Sequence, residues 1–272
     1  MQDQGVDPLF GEAPERVQLL NAPLISVLGQ ARFARVAKIS DESYIADFQE
    51  AIREKYPYFQ SDTIQGVDIM LAGNTVTPRQ TSTVVWRFFD AEKIIRVTLG
   101  QEQISLETRR YTSRIDFLER LRFLLEKLSE TVKPTLAQRV GFRYVDRITG
   151  SDLAKLGELI RPPMLNIAQP DLLKHIDVSM SEITASTAEG KLIARYGLAP
   201  PNYTHDPEMA PQVNEKSWVL DVDSFSVSCA GKPFDTDMLC GELENVSARA
   251  YAFFRWSVTE KFLEHFGAKE DA

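Results

Sequence analysis

Three arginines at four-residue intervals lie in the run Arg139-Val140-Gly141-Phe142-Arg143-Tyr144-Val145-Asp146-Arg147-Ile148. Alternate residues of a β-strand share a face, so Arg139, Arg143 and Arg147 point one way. Val140, Phe142, Tyr144, Asp146 and Ile148 point the other. At about 3.3 Å per residue, successive guanidinium groups stand about 13 Å apart. Each is a planar fork suited to a carboxylate or a phosphate. The chemistry within reach is recognition of an extended anion, a nucleotide or a nucleic acid. The same spacing also fits a solvated face whose arginines pair with acidic residues of neighbouring strands, Glu107 for example.

Asp221-Val222-Asp223 is a second constellation. On a strand its carboxylates lie on one side about 7 Å apart, next to Val219, Phe225 and Val227. Two carboxylates on a partly apolar face need cations, which arginines such as Arg143 or Arg195 supply as well as Mg2+ does. A metal-dependent phosphotransfer or hydrolase chemistry is therefore one reading of Asp221 and Asp223. Tyr251, Phe254 and Trp256 flank Phe253 on a helical pattern, either as core or as a partner-binding surface. The proline-rich stretch from Ala199 to Lys216 exceeds a hairpin loop and is either a lid or recognition element or a disordered insertion. His175, His205 and His265 fall in no ligand or triad spacing. Neither a Gly-x-Ser-x-Gly elbow nor a phosphate-binding or dinucleotide loop occurs, so no catalytic residue is assigned and no cofactor is expected.

The elements that must position these groups follow from periodicity. Pro23–Phe33 reads as a first strand. A helix capped at Ser40 or Asp41 runs to Tyr56 with Ile45, Phe48 and Ile52 on one face. Ile64–Leu71 reads as a strand, Gly73–Ser82 as a polar loop, and Thr83–Phe89 with Lys93–Leu99 as a hairpin around Asp90. After the strand Gln103–Thr108, Ser113 opens a helix with Ile115, Leu118, Leu121, Leu125, Leu128 and Val132 at helical steps. The arginine strand follows. Beyond it come a short helix (Ser151–Leu159), strands near Asp177–Thr187, Lys191–Leu198 and Ser217–Ser228, and a long helix from Asp235 that breaks near Ser257.

These orders predict an α+β fold of two pseudo-repeated halves, 22–137 and 138–267, each running strand, helix, three or four antiparallel strands, helix. The helices would pack on one face of a curved antiparallel sheet. The two sheets would join through the central strand; a single large sheet gripping a helix is the competing layout. Residues 1–21 read as a flexible leader and 268–272 as a tail.

Composition narrows the classes. With 272 residues, 43% of them hydrophobic, the chain can build a core without disulfides or metal. A net charge of -8 disfavours broad binding to nucleic acid or anionic membrane, while leaving a local basic surface open. Two cysteines without ligand spacing, no long apolar run and an acidic start favour a cytoplasmic protein.

Several segments resemble a family of sporadically distributed, uncharacterised bacterial proteins. They are Ala22-Pro23-Leu24, Lys55-Tyr56-Pro57, Trp86-Arg87-Phe88, Tyr111 with Asp116-Phe117, Arg139–Ile148, Leu220-Asp221-Val222-Asp223 and Phe254–Thr259. The resemblance spans residues 22–266 and implies a bacterial origin. The expected role is a non-catalytic binding or assembly component acting with a protein partner or as a homo-oligomer, an accessory of defence or toxin control. Nucleic-acid or nucleotide binding through Arg139, Arg143 and Arg147 is the first alternative, and the metal-dependent enzyme the second.

Overall fold

A computed structural model describes residues 7–72, 75–169 and 171–268. Strand β1 (Leu24–Phe33) turns Val27, Ala31 and Phe33 inward, and all three are fully buried. Helix α1 (Glu42–Ile52) starts where the Asp41 side chain accepts a hydrogen bond from the Ser43 amide at 2.9 Å. It buries Ile45, Phe48 and Ile52, as their spacing predicts. Strands β2 (Tyr58–Ala72), β3 (Thr75–Phe89), β4 (Ile95–Gly100) and β5 (Gln103–Thr108) then form an antiparallel meander. The expected polar loop Gly73–Ser82 is corrected from Thr75 on: Thr75 to Ser82 continue β3, in register with β2, while Gly73 and Asn74 lie outside the described residues. The hairpin around Asp90 forms as read, its carboxylate accepting from the Ile94 and Ile95 amides at 2.7 and 2.8 Å.

Ser113 caps α2 (Arg114–Thr131), accepting from the Asp116 amide at 3.1 Å. Leu121, Leu125 and Leu128 face the core as expected, joined by Phe117 and Leu124. Ile115 does not: it is 70% exposed, on the side of the first turn away from buried Phe117. Gly29 lets α2 lie close on β1, since a Cβ there would sit 2.7 Å from Leu121 and 3.0 Å from Phe117.

The arginine strand is β6 (Ala137–Ile148), followed by a 3-10 turn and the single-turn helices α3 (Leu156–Leu159) and α4 (Pro162–Leu165). Strands β7 (Ser179–Ser186), β8 (Lys191–Ala199) and β9 (Ser217–Ser226) complete the sheet. Helix α5 (Thr236–Ser257), capped by Asp235, buries Leu239, Leu243, Val246, Ala250 and Phe253, and α6 (Glu260–His265) follows a break at Val258.

All nine strands belong to one antiparallel sheet in the order β2-β3-β4-β5-β1-β6-β9-β8-β7. The α+β class and the antiparallel sheet with helices packed on it therefore hold, with β1 and β6 adjacent at the centre. Helices α2 and α5 cover one face, where Phe117 meets Phe142 edge-on at 5.2 Å; α1 joins them through Phe48 against Phe88. No helix among the described residues is long and apolar enough to cross a membrane.

Candidate functional site

The period-two reading of β6 places its arginines opposite the helices, and the registry decides what they meet. Arg143 lies across from Asp223 on β9, two residues from Asp221. Arg143 donates to both oxygens of Asp221, Nε to Oδ1 and Nη2 to Oδ2, each at 2.7 Å, and through Nη1 to Asp206 at 2.7 Å. The His205 ring nitrogen Nε2 lies 2.6 Å from the same Asp221 carboxylate. Arg139 donates to Asp223 at 3.2 Å and to Gln30 at 3.0 Å, and stacks over the Phe225 ring. Arg147 donates to the Pro211 carbonyl at 2.7 Å. Arg195 pairs with Glu182 at 2.5 Å, and Glu107 is taken by Arg96 rather than by a β6 arginine.

Much of this pairing comes from the long connection between β8 and β9, which crosses the open face as a strap. Glu208 reaches Arg87 at 2.6 Å and Arg96 at 2.9 Å on the far strands. The Ser26 hydroxyl donates to the Met209 carbonyl at 2.6 Å. Met209 and Ala210 are buried against Val145, Ala199 and Val219 in a small second core. The long connection is thus seated on the sheet.

Two site readings change accordingly. The guanidinium groups expected to hold an anion at Arg139, Arg143 and Arg147 are already bonded to aspartates, Gln30 and a carbonyl. Asp221 and Asp223 share a face as predicted, but both oxygens of Asp221 are occupied, and it is only 1% exposed. Among the described residues no cluster of three or more His, Cys, Asp or Glu side chains is arranged to hold a metal. Burial acts to raise the Asp221 pKa, yet the bonds from Arg143 and His205 outweigh it and hold the carboxyl below the usual range. Asp206 is held low in the same way, by Arg143, against the pull of burial. Asp223, with the weaker Arg139 contact, is pushed up by burial.

The helix side of the sheet holds a different feature, a cavity of about 550 Å3. Its floor is Tyr144 and Asp146 of β6, and its walls include Tyr111 before α2 and Tyr251 and Phe254 of α5. Residues 16–20 and Ala22 close one side. Over the described residues the expected leader is docked. The Val17 amide donates to Tyr251 Oη at 2.8 Å, and the Leu20 and Asn21 amides donate to the carbonyls of Gly267 and Phe266 at 3.1 and 3.0 Å. Arg16 stacks over the Tyr251 ring at 4.9 Å.

The three aromatics expected at a partner surface are all part-buried: Tyr251 and Phe254 line this cavity with the N-terminal residues, and Trp256 packs on Phe253 at 5.6 Å. None of the three is fully exposed.

Asp146 is the residue that sequence reading passed over. It appeared only as a lone acid on a greasy face, which was the available signal. It is 5% exposed, flanked in register by Leu24 and Leu220, and no hydrogen bond from a described residue reaches its carboxyl. Burial, and then the charge of Asp221 behind the sheet, push its pKa up to about 7. Beside it the Tyr111 and Tyr144 hydroxyls lie 3.3 Å apart, and burial raises the pKa of each.

A raised carboxyl pKa means the fold binds this proton more tightly than the unfolded chain does. The contribution is favourable at low pH and is lost as pH rises towards the folded value. Asp146→Asn removes the titration. Its stability relative to the parent should be on the order of 2–3 kcal/mol more favourable at pH 8 than at pH 5. Urea unfolding at the two pH values checks this; an equal difference at both would show that Asp146 ionises as it does in water.

A scan of protein-family models gives no match to this chain, and a search of curated proteins gives no significant match.

Proposed function

We propose that this protein is a non-catalytic binding component that joins a protein partner through the arm formed by β2 and β3. The observation carrying this reading is the registry of the arm. The two strands pair over fifteen positions, but β4 lies against β3 only at Trp86–Phe89. Eleven pairs, from Asp62↔Val85 to Ala72↔Thr75, thus form a two-stranded ribbon without a third strand among the described residues. Such a ribbon is marginally stable alone, and β2 presents an edge of unpaired amides and carbonyls. A strand of another protein, or a second copy of this one, satisfies that edge by extending the sheet.

The paired arginine face gives less support to nucleic-acid binding, and the filled Asp221 carboxylate less to a metal-dependent reaction. The strand order also supports reading the halves as pseudo-equivalent. In each, the last strand returns beside the first, β5 beside β1 and β9 beside β6. An accessory role of the kind the family resemblance implies suits a binding component.

The test replaces Gly66–Thr81 by Asn-Gly, a two-residue turn joining the paired Gln65 and Ser82. Both proteins are purified from the cells that naturally make the parent and sized by light scattering. The parent should form a defined assembly above its 30.7 kDa monomer mass, and the shortened protein should be a monomer with an unchanged melting temperature. A monomeric parent without bound protein, or an assembly that survives shortening, defeats the reading.

A further inference from the structure

The cavity on the helix side contains two polar groups of opposite charge, each with bonding capacity that no described residue takes up. One is the Asp146 carboxyl. The other is Nη2 of Arg16, which is buried with no hydrogen-bond partner among the described residues. Leaving such a group unbonded costs roughly 1–3 kcal/mol, and more when it is charged. The two are not each other's partners: the influences on Asp146 are burial and Asp221, with no contribution from Arg16. The Arg16 guanidinium instead reaches the hydroxyls of Tyr111 and Tyr144 as a hydrogen-bond donor, which leaves Nη2 as its unbonded nitrogen among the described residues. Tyr144 precedes Asp146 by two residues on the same strand face, about 7 Å away along β6. An acceptor thus stands on the floor of the cavity, and a donor on the segment that closes one side.

Between them the walls are the rings of Tyr111, Tyr144, Tyr251 and Phe254, and the volume of about 550 Å3 lies within the range of small-molecule sites. An ammonium group answers Asp146 with charge-assisted hydrogen bonds and gains from nearby aromatic faces. A carboxylate answers the guanidinium. Apolar atoms fill the ring-lined middle.

We infer that this cavity is a binding site for a small zwitterion with an apolar body, an aromatic amino acid being the chemical class, held by its ammonium group on Asp146 and its carboxylate on Arg16. The inference does not depend on the proposed arm or partner.

Binding should also move a proton. Near pH 6 the carboxyl of Asp146 is largely protonated in the empty site, and an ammonium ligand holds it ionised, so one proton leaves. The other groups around it do not titrate there. Tyr144, Tyr111 and Tyr251 have pKa values raised above that of an ordinary tyrosine. The guanidinium groups of Arg16 and Arg114 line the same cavity. Behind the sheet Asp221 remains ionised, its pKa held low with Arg143 and His205 as partners.

Calorimetric titration of the full chain with three phenyl compounds tests the assignment: L-phenylalanine, phenethylamine and 3-phenylpropionate. Phenylalanine should bind most tightly. Asp146→Asn should weaken phenylalanine and phenethylamine roughly tenfold or more and leave 3-phenylpropionate unchanged; Arg16→Gln should weaken phenylalanine and 3-phenylpropionate instead. Phenylalanine titrated at pH 6 in buffers of different ionisation enthalpy should report proton release, which Asp146→Asn abolishes. Both variants are first shown to melt as cooperatively as the parent. Absence of phenylalanine binding up to about 10 mM, a range that detects even millimolar sites, overturns the inference. So does 3-phenylpropionate binding as tightly as phenylalanine, or phenylalanine binding indifferent to Asp146→Asn.

Discussion

Arg143→Met is expected to destabilise the protein by about 3–5 kcal/mol at pH 7, the usual cost of stripping one partner from a buried ion pair. The loss arises because Asp221, 1% exposed, keeps only His205 and a distant Arg195 at 4.0 Å. The strap loses its Asp206 anchor at the same time. Arg147→Ala should cost about 1 kcal/mol, since Arg147 makes a single bond to a carbonyl and keeps no carboxylate in place. The double change Arg143→Met with Asp221→Leu should recover most of the loss, because an apolar pair needs no solvation. Urea unfolding of the three variants checks the order. A parent-like midpoint for Arg143→Met would mean that the guanidinium is free for a ligand, the reading its spacing first suggested.

Gly197→Ala should be comparably severe, on the order of 3–5 kcal/mol when backbone strain and overpacking act together. Gly197 has φ of 136°, and a Cβ there would stand 1.8 Å from the Ser179 carbonyl oxygen. The obstruction is backbone of the neighbouring strand, paired from Ser179 to Ser186, so relief requires breaking the β7–β8 register. Gly231→Ala is the control. Its φ is 76° but nothing lies within 4 Å of the new methyl, so only the left-handed strain of about 1–2 kcal/mol remains. If the two variants unfold at the same urea concentration, steric closure at Gly197 has been misjudged.

The sequence by itself determined what local periodicity and caps encode. Ile45, Phe48 and Ile52 specify the buried stripe of α1, and Asp41, Ser113 and Asp235 mark helix starts that the backbone needs capped. Alternation along β6 separated arginines from apolar residues, because side chains of a strand change face at every step. Even there, Ile115 misled, since a helical stripe says nothing of where the partner surface ends. Tertiary structure decided what the sorted side chains meet. The bond from Arg143 to Asp221 spans 78 positions and that from Arg87 to Glu208 spans 121, so no local pattern carries them. The cavity likewise needs residues 16–22 laid against α5, which makes Tyr251 and Phe254 walls rather than surface. Asp146 shows the division most sharply: its place on the apolar face was legible from alternation alone. That it lies buried without a partner among the described residues depends on segments separated by more than a hundred residues, whose meeting is set by the whole core.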